Sequence, residues 1–113
     1  MIPSSPAEVL EYLDPQGRSP YAAWFDSLNA PAAAKVAAAV TRLGLGNFST
    51  VKDVTGGVYE YRVNFGPGFR IYFGKHGERL VILLGGGTKK GQQEDIKNAI
   101  VRWRDYKKRK KQE

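Results

Sequence analysis

The chain has 113 residues, a formal net charge of +7, no cysteine and one histidine, His76. This length supports one domain with one core, and the lack of cysteine and of further histidines excludes disulfides, a thiolate zinc site and a multi-histidine metal site. The sequence is 42% hydrophobic, with no apolar run of the roughly 20 residues that span a bilayer and no secretory leader, which predicts a globular cytoplasmic protein.

The first half of the sequence predicts a strand followed by a pair of helices. Residues 7–13 have the apolar pattern of a strand, and residues 14–17 have the composition of a turn. Ser19 and Pro20 are typical of a helix start. The apolar face of this helix consists of Tyr21, Trp24, Phe25 and Leu28. After a break at residues 29–31, an alanine-rich helix is expected from Ala32 to Leu43.

The second half predicts strands and a final helix. A short strand or a loop edge is expected at residues 51–54, and strands are expected at Val58–Phe65, Phe69–Phe73 and Arg79–Leu84. The last strand is continuously apolar, which indicates a central strand covered on both faces, and Gly85–Gly87 are expected to end it. A helix is predicted from Gln92 to Tyr106. The predicted fold class is therefore α+β in the order β-α-α-β-β-β-α, with an antiparallel-rich sheet.

Positive charge is concentrated in the second half of the chain. Residues 1–50 hold three basic and four acidic side chains, residues 51–106 hold ten and six, and residues 107–113 hold five and one. We expect a domain over residues 1–106 and a basic C-terminal tail over residues 107–113, in which Lys107, Lys108 and Arg109 are candidate phosphate contacts. This charge favours a nucleic-acid partner; the alternative is a solvated face with a frayed tail that aids solubility.

The hairpin between Tyr59 and Phe73 carries the clearest chemical pattern. A three-residue connection, Gly66–Gly68, would place Phe65 opposite Phe69, with apolar side chains on one face. The opposite face then gathers Glu60, Arg62, Asn64, Arg70 and Tyr72. Such a group suits phosphate binding and could assist attack of a ribose 2′-hydroxyl on its own phosphate without a metal. The alternative is an ordinary solvent-exposed face of an antiparallel sheet.

The other features of the sequence are weaker signals of function. Lys89 and Lys90 precede the last helix, where they could reach a phosphate or lie in a solvated turn. The glycines before them lack the spacing of a nucleotide-binding loop. His76 is expected on the surface, while Trp24 and Trp103 are expected in the core. The sequence has no Ser-His-Asp set or acidic cluster for a hydrolytic triad or a two-metal site.

Several motifs together resemble one known family. They are Trp24–Leu28, Arg42–Phe48, Val58–Arg62, Gly66–Phe73, Leu83–Lys89, and Gln92 with Asp95, Ile96 and Ala99. In order and spacing they are similar to the HigB-like addiction-module killer proteins, a branch of the RelE/ParE toxin superfamily, over nearly all of residues 8–106. The resemblance implies a bacterial type II toxin of the RelE-like fold. It also implies a small helix-turn-helix antitoxin that binds the toxin and through which the module reaches operator DNA.

Many members of this superfamily are ribosome-dependent endoribonucleases that cut mRNA without a metal or another cofactor. By resemblance, the family's basic sheet residues fall on Arg62 and Arg70, its lysine on Lys89 and an acidic position on Glu60. The roles implied are stabilisation of the scissile phosphate by Arg70 with support from Arg62, and stacking on or orienting of a base by Tyr72. The remaining RNA contacts expected are Lys89, Lys90, Asn64, Gln92 and the basic tail, which could touch ribosomal RNA. A ParE-like gyrase inhibitor and a non-catalytic nucleic-acid-binding module are the alternatives on the same fold.

Overall fold

The computed structural model describes residues 6–77 and 79–112. The strands are β1 (Glu8–Glu11), β2 (Val51–Thr55), β3 (Val58–Val63), β4 (Phe69–His76) and β5 (Leu80–Thr88). The helices are α1 (Pro20–Asp26), α2 (Ala30–Gly44) and α3 (Gln92–Lys111), and a 3-10 turn at Lys89–Gly91 joins β5 to α3. The predicted α+β class is confirmed, the segment after residue 50 is a strand, and the arrangement is consistent with a RelE-like fold.

All five strands form one sheet in the order β1-β5-β4-β3-β2. β1 runs parallel to β5, and the other neighbours are antiparallel. Alternate side chains of β5 enter two separate clusters: Val81 and Leu83 pack with α1 and α2, whereas Ile82 and Leu84 pack with α3. The prediction that this strand is covered on both faces is therefore confirmed. The sheet has an α1/α2 face and an α3 face.

The helices α1 and α2 both begin at a residue whose side chain caps the helix. The Ser19 hydroxyl accepts a hydrogen bond from the Ala22 amide at 3.0 Å, which confirms the predicted start of α1. The Asn29 side chain accepts one from the Ala32 amide at the same distance of 3.0 Å. Because Pro31 lies in the first turn, where no amide donor is needed, α2 begins at Ala30, two residues earlier than predicted.

The prediction that Gly85–Gly87 end β5 is wrong. The strand continues to Thr88, and the glycines pair with β4. A Cβ atom on Gly86 would lie 2.3 Å from the Trp24 ring, and one on Gly87 would lie 2.0 Å from Asp95 Oδ2. The glycines are therefore positions at which α1 and α3 press directly on the two faces of the strand.

The predicted hairpin register is wrong by two residues. Val63 pairs with Phe69, and Arg62 pairs with Arg70. The Gly68 amide donates to the Phe65 carbonyl at 2.9 Å, so a turn closes within the loop and residues 64–68 leave the ladder. Because side chains alternate with a period of two, this shift leaves each side chain of β3 and β4 on its predicted face.

The last helix extends past its predicted end at Tyr106 and stops at Lys111. Lysine and arginine are good helix formers, and their charge complements the negative end of the helix dipole. Arg109 Nη2 donates to Asp105 Oδ2 at 2.5 Å and also to the Leu13 carbonyl. Most of the segment expected as a tail is thus helical, and its end is tied to the residues that follow β1.

Candidate functional site

Four of the predicted polar residues lie together on the α3 face of β3 and β4. Arg62 pairs across the strands with Arg70, and Glu60 pairs with Tyr72. The alternative interpretation required a solvent-exposed face, but α3 covers this face at three of the four positions and leaves only Arg62 exposed. Glu60 and Tyr72 are 0% exposed, and Arg70 is 7% exposed. Base stacking by Tyr72, one of its two expected roles, is therefore wrong for this conformation, since the ring has no free face.

Glu60 is the centre of this group. Its Oε1 atom accepts a hydrogen bond from Arg62 Nε at 3.2 Å, and its Oε2 atom accepts one from Gln92 Nε2 at 3.0 Å. Arg70 Nε lies 3.6 Å from the same Oε2 atom. A buried carboxylate is costly unless charged and hydrogen-bonding partners surround it. We call Glu60, Arg62, Arg70, Tyr72 and Gln92 the Glu60 cluster; the carboxylate holds both guanidinium groups in place.

Two donors in the Glu60 cluster make no hydrogen bond, although one of them, Arg70 Nε, forms the 3.6 Å ion pair with Glu60. Within residues 6–77 and 79–112, Arg70 Nε and the Tyr72 hydroxyl are buried and lack a hydrogen-bond partner. Burial, and then the negative charge of Glu60, raise the pKa of Tyr72 far above its ordinary value of 10.0. The phenol is therefore neutral at pH 7 and remains a donor. Leaving a buried donor without a hydrogen bond costs about 1–3 kcal/mol, so an acceptor that reached either group would be bound favourably.

Asp95 and Arg102 extend the polar region beneath α3, and the sequence analysis gave neither of them a role. Burial raises the pKa of Asp95, an effect that the positive charge of Arg102 partly offsets. Arg102 Nη1 donates to the Leu84 carbonyl at 3.0 Å, and burial lowers the pKa of its guanidinium. Asp95 and Arg102 are seven residues apart, so they lie on the side of the helix that carries Ala99 and Trp103. This spacing was the sequence pattern that could have indicated their burial.

The exposed part of the site is basic. The Arg62 side chain is 52% exposed. Lys89 and Lys90 are exposed in the turn before α3, and Asn64 is exposed in the hairpin loop. Arg62 and Asn64 border a cleft of about 540 Å³. Two further cations line it from α2, Lys35 and Arg42, which are seven residues apart and which the sequence analysis did not single out.

The structure separates the other predicted contacts from the Glu60 cluster. Lys107, Lys108 and Arg109 are exposed near the far end of α3, about 22 Å along the helix from Gln92. Lys107 Nζ lies 5.7 Å from the Trp103 ring centroid.

The end of α3 is held by a contact with the segment after β1. The Tyr12 hydroxyl donates to Asp105 Oδ2 at 2.6 Å. This bond, and then the contact with Arg109, lower the pKa of Asp105.

His76 is exposed at the end of β4, as predicted, with its ring 6.2 Å from that of Tyr106. No three His, Asp or Glu side chains within residues 6–77 and 79–112 are grouped as metal ligands would be. Over the same residues, no helix has both the length and the apolar character that crossing a membrane requires.

Comparison with known proteins places the chain in a family. Residues 23–104 match the family described as phage-derived protein Gp49-like (DUF891). A protein of Haemophilus influenzae, described only as uncharacterized, is 44% identical over 77 residues, which cover 67% of this chain and 78% of that protein. The segment that matches the family, residues 23–104, includes the whole Glu60 cluster and most of α3. The chain therefore belongs to the phage-derived Gp49-like family (DUF891), a RelE-toxin-like family associated with toxin–antitoxin modules.

Proposed function

We propose that the protein is a HigB-like toxin of a type II toxin–antitoxin module and acts in the cytoplasm as a ribosome-dependent endoribonuclease. Its partners would be a helix-turn-helix antitoxin, which alone contacts operator DNA, and the ribosome with its mRNA. Family membership supports the toxin assignment. The observation that carries the nuclease assignment is the convergence of Arg62 and Arg70 on Glu60, where Arg70 Nε and the Tyr72 hydroxyl make no hydrogen bond within the described part of the chain.

The proposed path of the RNA begins at the exposed cations. Lys89, Lys90 and the exposed part of Arg62 would hold the phosphate backbone, with Asn64 beside them at the cleft. The scissile phosphate would then bind Arg70 beside the Glu60 carboxylate, which keeps its contacts with the Nε atoms of Arg62 and Arg70. Gln92, which bonds to Glu60, lies at the start of α3, so a small shift of that end would open the site.

The proposed chemistry uses the ribose 2′-hydroxyl as nucleophile. Its oxygen attacks the adjacent phosphorus and loses its proton, the bond to the 5′-oxygen breaks, and the leaving 5′-oxygen takes up a proton, so a 2′,3′-cyclic phosphate and a 5′-hydroxyl result. Arg70, supported by Arg62 and the neutral Tyr72 hydroxyl, would stabilise the charge that develops on the phosphate oxygens. Glu60 serves as a positioning residue, since its buried carboxylate orients both arginines. The rate gain then comes from electrostatics and from alignment of the RNA by the ribosome.

The test is induced expression in a bacterium with mapping of mRNA 5′ ends. We expect new in-frame cuts in translated regions and growth arrest. Arg62→Ala and Arg70→Ala should remove both effects. Arg79→Ala should retain them, because Arg79 is exposed and lies just before β5, at the end of the strand away from Lys89. Because Arg70 is buried, its variant is compared with the unsubstituted protein by circular dichroism.

Each alternative gives a different outcome in the same experiment. Growth arrest with DNA damage and without mRNA cuts would contradict the nuclease proposal and favour gyrase inhibition. A protein that causes neither effect, yet binds RNA in a salt-dependent manner, would be a non-catalytic binding module.

A further inference from the structure

An apolar groove lies on the α1/α2 face of the sheet, away from the Glu60 cluster. It has a volume of about 460 Å³ and runs between β1, α1 and α2. Its apolar lining consists chiefly of Val9, Tyr21, Phe25, Val40 and Leu83. Val9, Phe25 and Val40 are only partly buried, although they pack against the core. A partly exposed apolar lining of this kind is typical of a surface that binds another chain.

The strand beside this groove has an unpaired edge. β1 is the outermost strand of the sheet on that side. The amides of Glu8 and Tyr12 donate to carbonyls of β5, at 2.6 and 2.9 Å. Because the backbone direction alternates along a strand, Val9 and Glu11 direct their amide and carbonyl groups away from β5. No hydrogen bond within the described residues joins these groups to a loop or helix, so β1 presents a free edge.

The charge at the groove is opposite to that of the protein as a whole. The chain has a net charge of +7. Both charged side chains that line the groove, Glu11 and Asp26, are acidic and exposed. These two residues line the same groove as Tyr21, and burial, and then the charge of Glu11, raise the pKa of Tyr21 to about 12. Charge complementarity therefore favours a basic occupant.

We propose that the β1 edge and this groove bind an extended segment of the antitoxin by strand addition. In this arrangement, the main chain of the segment bonds to Val9 and Glu11, its alternate apolar side chains enter the groove, and neighbouring lysines or arginines face Glu11 and Asp26. The identity of the partner rests on the proposed function, whereas the docking surface does not depend on RNA cleavage. Since the groove and the Glu60 cluster lie on opposite faces, the bound segment leaves Arg62 and Lys89 uncovered.

Hydrogen exchange in the complex tests the proposal directly. The full chain is co-purified with the protein encoded by the adjoining gene, and amide exchange is compared between the free and bound states. We expect the Val9 and Glu11 amides to exchange at least ten-fold more slowly in the complex. Unchanged exchange in β1, protection confined to α3, or failure of the two proteins to associate would overturn the proposal.

Charge reversal provides a second, independent measurement. Glu11→Lys combined with Asp26→Lys should weaken the complex at least ten-fold. The matched control is Asp53→Lys, an exposed acidic residue on the opposite edge strand β2, which should leave the affinity unchanged. Equal affinity of the double variant and the control would contradict the proposal. The free variants are also assayed for RNA cleavage, so loss of docking and absence of nuclease activity are scored separately.

Discussion

The two faces of one sheet differ in where they place charged and apolar side chains. On the α3 face, Glu60 and Arg70 are charged groups buried among apolar side chains, with donors that lack a hydrogen bond to any described residue. On the α1/α2 face, the groove is apolar and partly open, and its charges remain at the rim in solvent. Burying charge is unfavourable, and so is exposing apolar surface. Each face therefore departs from the usual arrangement, in which apolar side chains are buried and charged ones are exposed. Such departures mark the places where function has shaped the sequence.

The contrast also predicts which face responds more strongly to substitution. Removing a buried charge leaves its partners unpaired, whereas removing a charge from the rim leaves its site in water. Stability should therefore depend strongly on the Glu60 cluster and weakly on the acidic rim.

The largest effect is expected for Glu60→Ala. This change leaves Arg70 buried without a counter-ion and removes the anchor of Arg62, so we expect destabilisation of about 3–5 kcal/mol in urea unfolding. Glu11→Ala at the rim is the control and should stay within about 0.5 kcal/mol of the original protein. Similar values for the two variants would contradict the contrast between the faces.

The next largest effect is expected where α1 meets β5. Gly86→Ala places a Cβ atom 2.3 Å from the Trp24 ring, and we expect a loss of about 1–3 kcal/mol from overpacking. In the control, Gly44→Ala, the nearest atom to the new Cβ is Val9 Cγ2 at 3.6 Å, an ordinary contact. Because alanine is the better helix former, the control should be neutral or stabilising in the same unfolding assay. A neutral Gly86→Ala would contradict the packing role of the glycine.

Arg62→Ala should separate stability from activity. The Arg62 side chain is half exposed, so its ion pair with Glu60 is expected to contribute less than about 1 kcal/mol. Its loss should nevertheless abolish mRNA cutting in cells, if it guides the phosphate to Arg70. If the variant unfolds, Arg62 has a structural role. If it folds and cuts mRNA normally, Arg62 has no role in cleavage.

The smallest effect concerns pH and the end of α3. The Tyr12 hydrogen bond, with Arg109, lowers the pKa of Asp105 in the folded protein. The stabilisation from this group is therefore complete above the unfolded pKa of about 3.9 and is lost as the pH falls through the lower folded value. The urea midpoints of the original protein and of Asp105→Asn should differ by a constant amount from pH 5 to 7, because Asp105 is ionised there in both the folded and the unfolded state of the original protein. The two midpoints should converge below about pH 4. A constant difference at all pH values would contradict this assignment.

The sequence predicted the membership of the Glu60 cluster better than its surroundings. Alternation alone put Glu60, Arg62, Arg70 and Tyr72 on one face, and the register error of two residues left that result intact. The burial of Glu60, Arg70 and Tyr72 could not be predicted, because it depends on which helix crosses which face of the sheet. That choice is made by long-range contacts such as Trp103 against Gly74, which no local pattern contains.

The same limit explains the other corrections. Gly85–Gly87 resemble a strand end when only neighbours in sequence are considered, yet Trp24 and Asp95 are the groups that require Gly86 and Gly87. The basic segment after Tyr106 resembles a tail until the Tyr12–Asp105–Arg109 contacts are visible. In both places, the deciding partner is distant in the sequence.

The most direct test of the central claim uses purified components. The protein is added to a reconstituted translation reaction on one defined mRNA, and the 5′ ends are mapped in parallel for Arg62→Ala and Arg79→Ala. The account predicts in-frame cuts that require active ribosomes, persist with Arg79→Ala and disappear with Arg62→Ala. Cuts that persist with Arg62→Ala, or no cuts with the unsubstituted protein, would contradict the assignment of the Glu60 cluster as the site of RNA cleavage.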